Sequence, residues 1–264
     1  MGGWGKVLGF LFGFMLTRHI IGALIGLWLG HRFDKGIGTD FNAFNRSTEE
    51  TRQAAFFYCT FSTMGYMAKA NGRVSEKEIA FATAYMDRLG LQAELRQQAK
   101  EAFREGKAAG FPLEERLKKF RKACAGRHDL ILLFLEIQIQ VAYADGDIEP
   151  SERKALHTIA AVFGLSKREL DKLLEMISAG ANFHQGGSKS HVSSATQLEN
   201  AYKVLGVKSS DSDQQIKKAH RKLMAQHHPD KLVAKGLPPE MMTIAKQKAQ
   251  DIQAAYDLIK KKRS

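Results

Sequence analysis

A chain of 264 residues with 40 lysines and arginines against 28 aspartates and glutamates, net charge +12, is long enough for more than one module; its basic surplus suits an acidic protein, a membrane surface or nucleic acid. Two cysteines, Cys59 and Cys124, neither in a paired motif, argue against a disulfide scaffold or a zinc module. No Gly-rich phosphate loop, nucleophile elbow or paired catalytic motif occurs, so the chain is read as a non-enzyme, with no catalytic residue, metal or cofactor assigned.

Residues 1–6 lead into the first element. Val7 to Leu16 and Ile20 to Leu29 are apolar apart from glycines, and one helix over residues 7–30 would span roughly a bilayer thickness. Thr17-Arg18-His19 interrupts it. A central arginine costs about 2.5–3.5 kcal/mol or more, which the surrounding apolar run offsets. A signal peptide is the rival reading, but Gly30-His31-Arg32-Phe33-Asp34 makes a poor cleavage site. Gly22, Gly26 and Gly30 recur at four-residue spacing, which lets two helices approach closely, so this face is expected to form a homodimer. Lys6 precedes the span, whereas His31, Arg32, Lys35, Arg46 and Arg52 follow it. The bias puts the C-terminal bulk in the cytoplasm, with membrane lipid as a partner and residues 31–47 as a juxtamembrane segment.

Residues 48–179 are about one domain in length and contain a repeat. Ala70-Asn71-Gly72-Arg73-Val74-Ser75-Glu76-Lys77-Glu78 matches Ala144-Asp145-Gly146-Asp147-Ile148-Glu149-Pro150-Ser151-Glu152, and Leu89-Gly90-Leu91 matches Phe163-Gly164-Leu165 at the same offset. Each copy reads as helix, Asn/Asp-Gly turn, capped helix and glycine stop. Ser75 and Glu78 form a capping box, and Pro150 suits a first helical turn. Further helices are predicted over Ala93–Arg104, Leu113–Ala125 and the strongly apolar Leu130–Tyr143, giving an all-α bundle with pseudo-twofold symmetry. Phe56, Phe57, Tyr58, Phe61 and Phe81 are candidates for its core. Asp145, Asp147, Glu149 and Glu152 could offer oxygens to a hard cation, but the EF-hand spacing is absent, and acids at a helix N-terminus account for them.

Residues 180–197 are rich in Gly, Ser and His and are predicted to be a flexible linker with a reach of about 20–25 Å.

The last segment, residues 198–264, has 14 Lys+Arg against 7 Asp+Glu. A short helix over Leu198–Leu205 contributes Tyr202 and Leu205. Ser212 caps a helix from Asp213 whose Ile216, Ala219, Leu223 and His227 share one face. Lys217, Lys218, Arg221 and Lys222 cluster on and around the other side. Pro229 stops this helix, so His228, Pro229 and Asp230 are expected on an exposed loop. Pro238-Pro239 leads into a final helix over Thr243–Lys260, with Ile244, Ala245, Ala249, Ile252, Ala255, Tyr256 and Ile259 inward.

His228-Pro229-Asp230, the basic helix before it and Ala254-Ala255-Tyr256-Asp257 after it make this segment resemble a J-domain. The resemblance implies binding to a DnaK-class (Hsp70) chaperone through His228, Pro229 and Asp230, with Lys217, Lys218, Arg221 and Lys222 as a patch for an acidic surface, and stimulation of the chaperone's ATPase. The repeat resembles the TerB-like helical domain. Membrane helix, TerB-like bundle and J-domain in that order are similar to the membrane-anchored J-domain co-chaperones of Gram-negative bacteria. That likeness implies the inner membrane, a periplasmic N-terminus, and regulation that touches capsule (colanic acid) synthesis through membrane phosphorelay signalling. The rival is a membrane scaffold or stress-response protein acting mainly through the bundle. Nucleic-acid binding is not favoured: no base-reading motif appears, and an acidic partner and a membrane account for the charge.

Overall fold

The computed structural model describes residues 49–69, 76–143, 148–188 and 194–263; the membrane segment, Ser75, Asp145 and Asp147 lie outside them. All regular structure among the described residues is helical: α1 (Glu49–Ala68), α2 (Glu76–Arg88), α3 (Ala93–Gly106), α4 (Leu113–Cys124), α5 (His128–Ala142), α6 (Pro150–Val162), α7 (Lys167–Ser188), α8 (Ser194–Val204), α9 (Asp213–Gln226), α10 (Pro229–Ala234), a 3-10 turn (Pro239–Met241) and α11 (Met242–Arg263). None of these helices is long and apolar enough to cross a membrane.

Local chemistry sets the helix ends. Gly90 and Gly164, equivalent in the two repeats, adopt φ +62° and +82°. In each case the next amide reaches back five residues, Leu91 N to Met86 O at 3.2 Å and Leu165 N to Ala160 O at 3.0 Å. These are matching Schellman stops, where a residue with a Cβ would be strained. At the start of α6 the Glu149 N–H donates to Glu152 Oε2 at 2.9 Å, closing a capping box, so two of the four acids considered as cation ligands serve the helix end.

The bundle core is aromatic. Phe56 of α1, Phe120 of α4 and Phe134 of α5 are fully buried and meet one another with ring centroids 5.0–6.3 Å apart; Phe163 joins Phe120 and Phe134 at 5.9 and 5.6 Å. All but the tilted Phe120–Phe134 pair meet edge-on, and such contacts add to the gain from burial itself. Phe57, Tyr58 and Phe61 are buried as expected, and Phe81 is half-buried. Gln138, fully buried on α5, donates to Thr60 O at 3.2 Å and ties α5 to α1. Both thiols are buried: desolvation pushes Cys124 up to about 12 and Cys59 higher, so neither is an active nucleophile at neutral pH.

The C-terminal helices pack as expected around Tyr202, Leu205, Ile216, Ile252, Ala255 and Ile259. The connection before them differs from expectation. Gly180 to Ser188, read as flexible from composition, continue α7 as helix. Phe183 of that extension packs against the cluster that Ala179, Tyr202, Leu205 and Ile216 share, and this burial outweighs the poor helix propensity of the glycines. Gly206, at φ +62°, lies so close to α7 that an added Cβ would sit 3.0 Å from Lys172 Cε and 3.2 Å from Met176 Sδ. Residues 48–264 accordingly form one compact unit.

Candidate docking site

Two helix ends build the tip. Ser212 Oγ accepts from Gln215 N–H at 3.3 Å while Gln215 Oε1 accepts from Ser212 N–H at 2.8 Å, so a complete capping box starts α9. α9 ends at Gln226, and the His227 N–H donates to Leu223 O at 2.9 Å. His228 is extended (φ −64°, ψ 120°), as a residue before proline must be, and serves as N-cap of α10. An open loop was expected here. Instead Pro229 takes the first position of a six-residue helix, because its fixed φ suits that position and its missing N–H costs nothing there.

His228 and Asp230 are exposed and Pro229 is half-buried. Lys217, Lys218, Arg221 and Lys222 of α9 are all exposed, while Ile216 and Leu223 on the opposite side face the final helix. Lys222 lies four residues before the end of α9 at Gln226, about 6 Å of helical rise, and His228 follows two residues further on. The arrangement is a cationic strip leading to a polar point, electrostatically complementary to an acidic surface.

The ground behind the tip is buried and charged. His227 is only 3 % exposed, with Nε2 at 3.5 Å from Glu136 Oε1 of α5. Glu136 is equally buried, and its Oε2 lies 3.7 Å from Lys248 Nζ of α11. Beyond the tip Lys235 pairs with Asp129 at the start of α5, and the Lys235 carbonyl accepts from Arg52 Nε of α1 at 3.1 Å. Sequence reading placed His227 on an inward face but missed what it faces. The available signal was Glu136, an acid inside the apolar run Leu130–Ile139. Arg263, beyond the predicted end of the last helix at Lys260, donates to Tyr202 Oη at 2.8 Å, Asp211 O at 2.9 Å and Asp213 Oδ1 at 2.7 Å, fastening α11 to α8 and to the start of α9.

Burial lowers the His227 pKa below the ordinary imidazole value. Glu136 opposes that shift, Lys248 adds to it and Asp129 opposes it. The folded state therefore favours the neutral ring. Its stabilising contribution is complete above the ordinary value of 6.5 and is lost as pH falls through the lowered one. The melting temperature should fall between pH 7.5 and 5.5, and His227→Gln, which cannot take up a proton, should flatten that fall. Equal slopes for both chains would refute this role.

Among the described residues no group of three or more His, Cys, Asp or Glu could hold a metal ion. In a polar cleft lined by Tyr143, Arg153, Asp171, Glu175, Asn200 and Lys203, Arg153 pairs with Asp171 at 3.6 Å and Lys203 with Glu199 at 2.8 Å. Gly22, Gly26 and Gly30, the expected dimer face, lie outside the described residues.

Comparison with known proteins divides the chain into three. Residues 1–47 match the family model described as co-chaperone DjlA transmembrane domain, residues 59–175 tellurite resistance protein TerB, and residues 200–264 the DnaJ domain. The chain is 53 % identical to the co-chaperone protein DjlA of Photobacterium profundum, covering 98 % of this chain and 99 % of that protein. It is 50 % identical to that of Yersinia pestis and 46 % identical to that of Escherichia coli O157:H7, in each case over 98 % of both chains. No solved structure matches.

Proposed function

The chain belongs to the family of DjlA co-chaperones, membrane-anchored regulators with a J-domain, and from that premise we propose that it binds a DnaK-class chaperone through His228, Pro229 and Asp230 and stimulates its ATPase. The observation that carries this reading is the exposed pairing of His228 and Asp230 with the cationic strip Lys217, Lys218, Arg221 and Lys222. Nothing at the tip resembles a catalytic pair, so it acts by docking: the strip steers encounter and orientation, and the tip supplies specific contact.

In this reading the activity lies at the cytoplasmic face of the inner membrane, with the N-terminus in the periplasm; the excess of basic residues after the hydrophobic run supports that orientation. Lipid and a second copy, packed through Gly22, Gly26 and Gly30, are its partners within the bilayer. The biological output is regulatory and touches capsule (colanic acid) synthesis through membrane phosphorelay signalling.

The test is steady-state ATP hydrolysis by the chaperone, with and without the full chain in lipid nanodiscs. Stimulation is expected. Reversing the strip with Lys217→Glu and Lys218→Glu should raise the half-saturating concentration by roughly tenfold at low salt, with a smaller effect at high salt. Absence of stimulation by the native chain defeats the reading; stimulation indifferent to the reversal and to salt removes the strip from it.

A further inference from the structure

Glu136 is out of place in a bundle considered alone. It interrupts the apolar buried residues Leu133, Phe134, Leu135, Ile137 and Ile139, and is as buried as they are, at 3 % exposed. A carboxylate so buried is tolerated when cationic or polar partners surround it. Its partners are His227 and Lys248, both from the J-domain: Nε2 of one is 3.5 Å from Oε1, and Nζ of the other is 3.7 Å from Oε2. His227 immediately precedes the tip.

Two further contacts lie on the other side of the tip. Lys235, the residue after α10, pairs with Asp129, and its carbonyl is held by Arg52 at 3.1 Å. Gly236, at φ +106°, then passes so close to α1 that an added Cβ would sit 2.9 Å from Arg52 Cβ. The segment His228–Ala234 is thus pinned to the bundle at both ends, while His228, Asp230 and the four cationic residues of α9 stay exposed. The faces used for pinning and for presentation are different.

We propose that the bundle is the holder of the J-domain, and that Glu136, gripping His227 and Lys248, is a positioning residue that fixes the direction of the His228-Pro229-Asp230 tip. The partner of this bundle face is the chain's own J-domain. The consequence for activity rests on the chaperone-docking reading above; the holding itself does not. A tip ordered in advance pays less entropy on docking than one on a freely turning module.

The full chain in nanodiscs is compared with Glu136→Gln, which removes the buried charge at nearly constant shape, and with Lys235→Glu, which sets two acids opposite each other. Lys235→Arg is the conservative control. Amide hydrogen exchange over residues 227–237 reports the holding. It should accelerate by roughly tenfold in the two disruptive variants and stay unchanged in Lys235→Arg. In the ATPase assay the same two variants should raise the half-saturating concentration by about threefold to tenfold, with the maximal rate retained.

Unchanged exchange in both Glu136→Gln and Lys235→Glu would overturn the proposal. A fall in the half-saturating concentration would also overturn it, since docking on the bundle would then restrain the tip. Exchange is read without any chaperone, so a native chain that fails to stimulate would defeat the docking reading while exchange still decides the holding.

Discussion

The full chain carrying His228→Gln should fold as the native chain does and lose chaperone stimulation almost entirely. His228 is exposed, and although it is the N-cap of α10 its side chain makes no capping hydrogen bond. Replacing it should therefore change stability by no more than about 0.5 kcal/mol. At a docking tip the loss has a different scale. An anchoring side chain at the centre of a small interface is worth about 2 kcal/mol or more, hence roughly thirtyfold in half-saturating concentration. The paired measurement is the melting temperature against the stimulated ATPase rate. A variant that melts normally and still stimulates would remove His228 from the interface. One that melts low would shift its role to holding α9 and α10 together.

Gly106→Ala should be the most damaging single-methyl addition among the described glycines, and Gly65→Ala should approach it. The two residues mark the crossing of α1 and α3. A Cβ on Gly106 would lie 1.8 Å from Ser62 O, and one on Gly65 would lie 2.0 Å from Phe103 O. Residues 62 and 65 on one helix face 103 and 106 on the other, each pair one helical turn apart, so the main chains meet reciprocally. Because the obstructing atoms are backbone carbonyls, no rotamer change relieves the clash and the helices must separate.

Overpacking costs typically about 1–3 kcal/mol, and an immovable neighbour puts these sites at or above the upper end, a large share of a total of about 5–15 kcal/mol. Gly180→Ala is the internal contrast. It is helical with nothing within 4 Å of its added Cβ, so it should gain about 0.5–1 kcal/mol from helix propensity. Urea denaturation of the three chains decides the point. Equal midpoints for Gly106→Ala and Gly180→Ala would show that the crossing relaxes. The double variant Gly65→Ala/Gly106→Ala should cost less than the sum, since both methyls push apart one crossing.

Much of the fold is written in short stretches. The capping box at Ser212, the first-turn proline at 150, the equivalent stops at Gly90 and Gly164 and the inward face of α11 were all readable, because each depends on residues within about one helical turn. The order of the three parts was readable too, as was the position of His228-Pro229-Asp230 after a basic helix, although the tip's helical turn was not. Composition misled at Gly180–Ser188, where glycine propensity pointed to coil and Phe183, packed against the J-domain core, decided for helix.

The amino-acid sequence by itself determined that the described part of this chain is helical, where most of its helices begin and end, and that His228-Pro229-Asp230 follows a basic helix; those properties come from periodicity, capping and local backbone sterics. Only the tertiary structure decided that Glu136 faces His227, that Lys235 meets Asp129 106 residues away, that Arg52 reaches Lys235 across 183 residues, and that α1 and α3 touch through Gly65 and Gly106. Contacts at such separations carry no local pattern. They exist because packing brings distant helices together, and a buried charge or a missing side chain finds its reason only in what arrives opposite it.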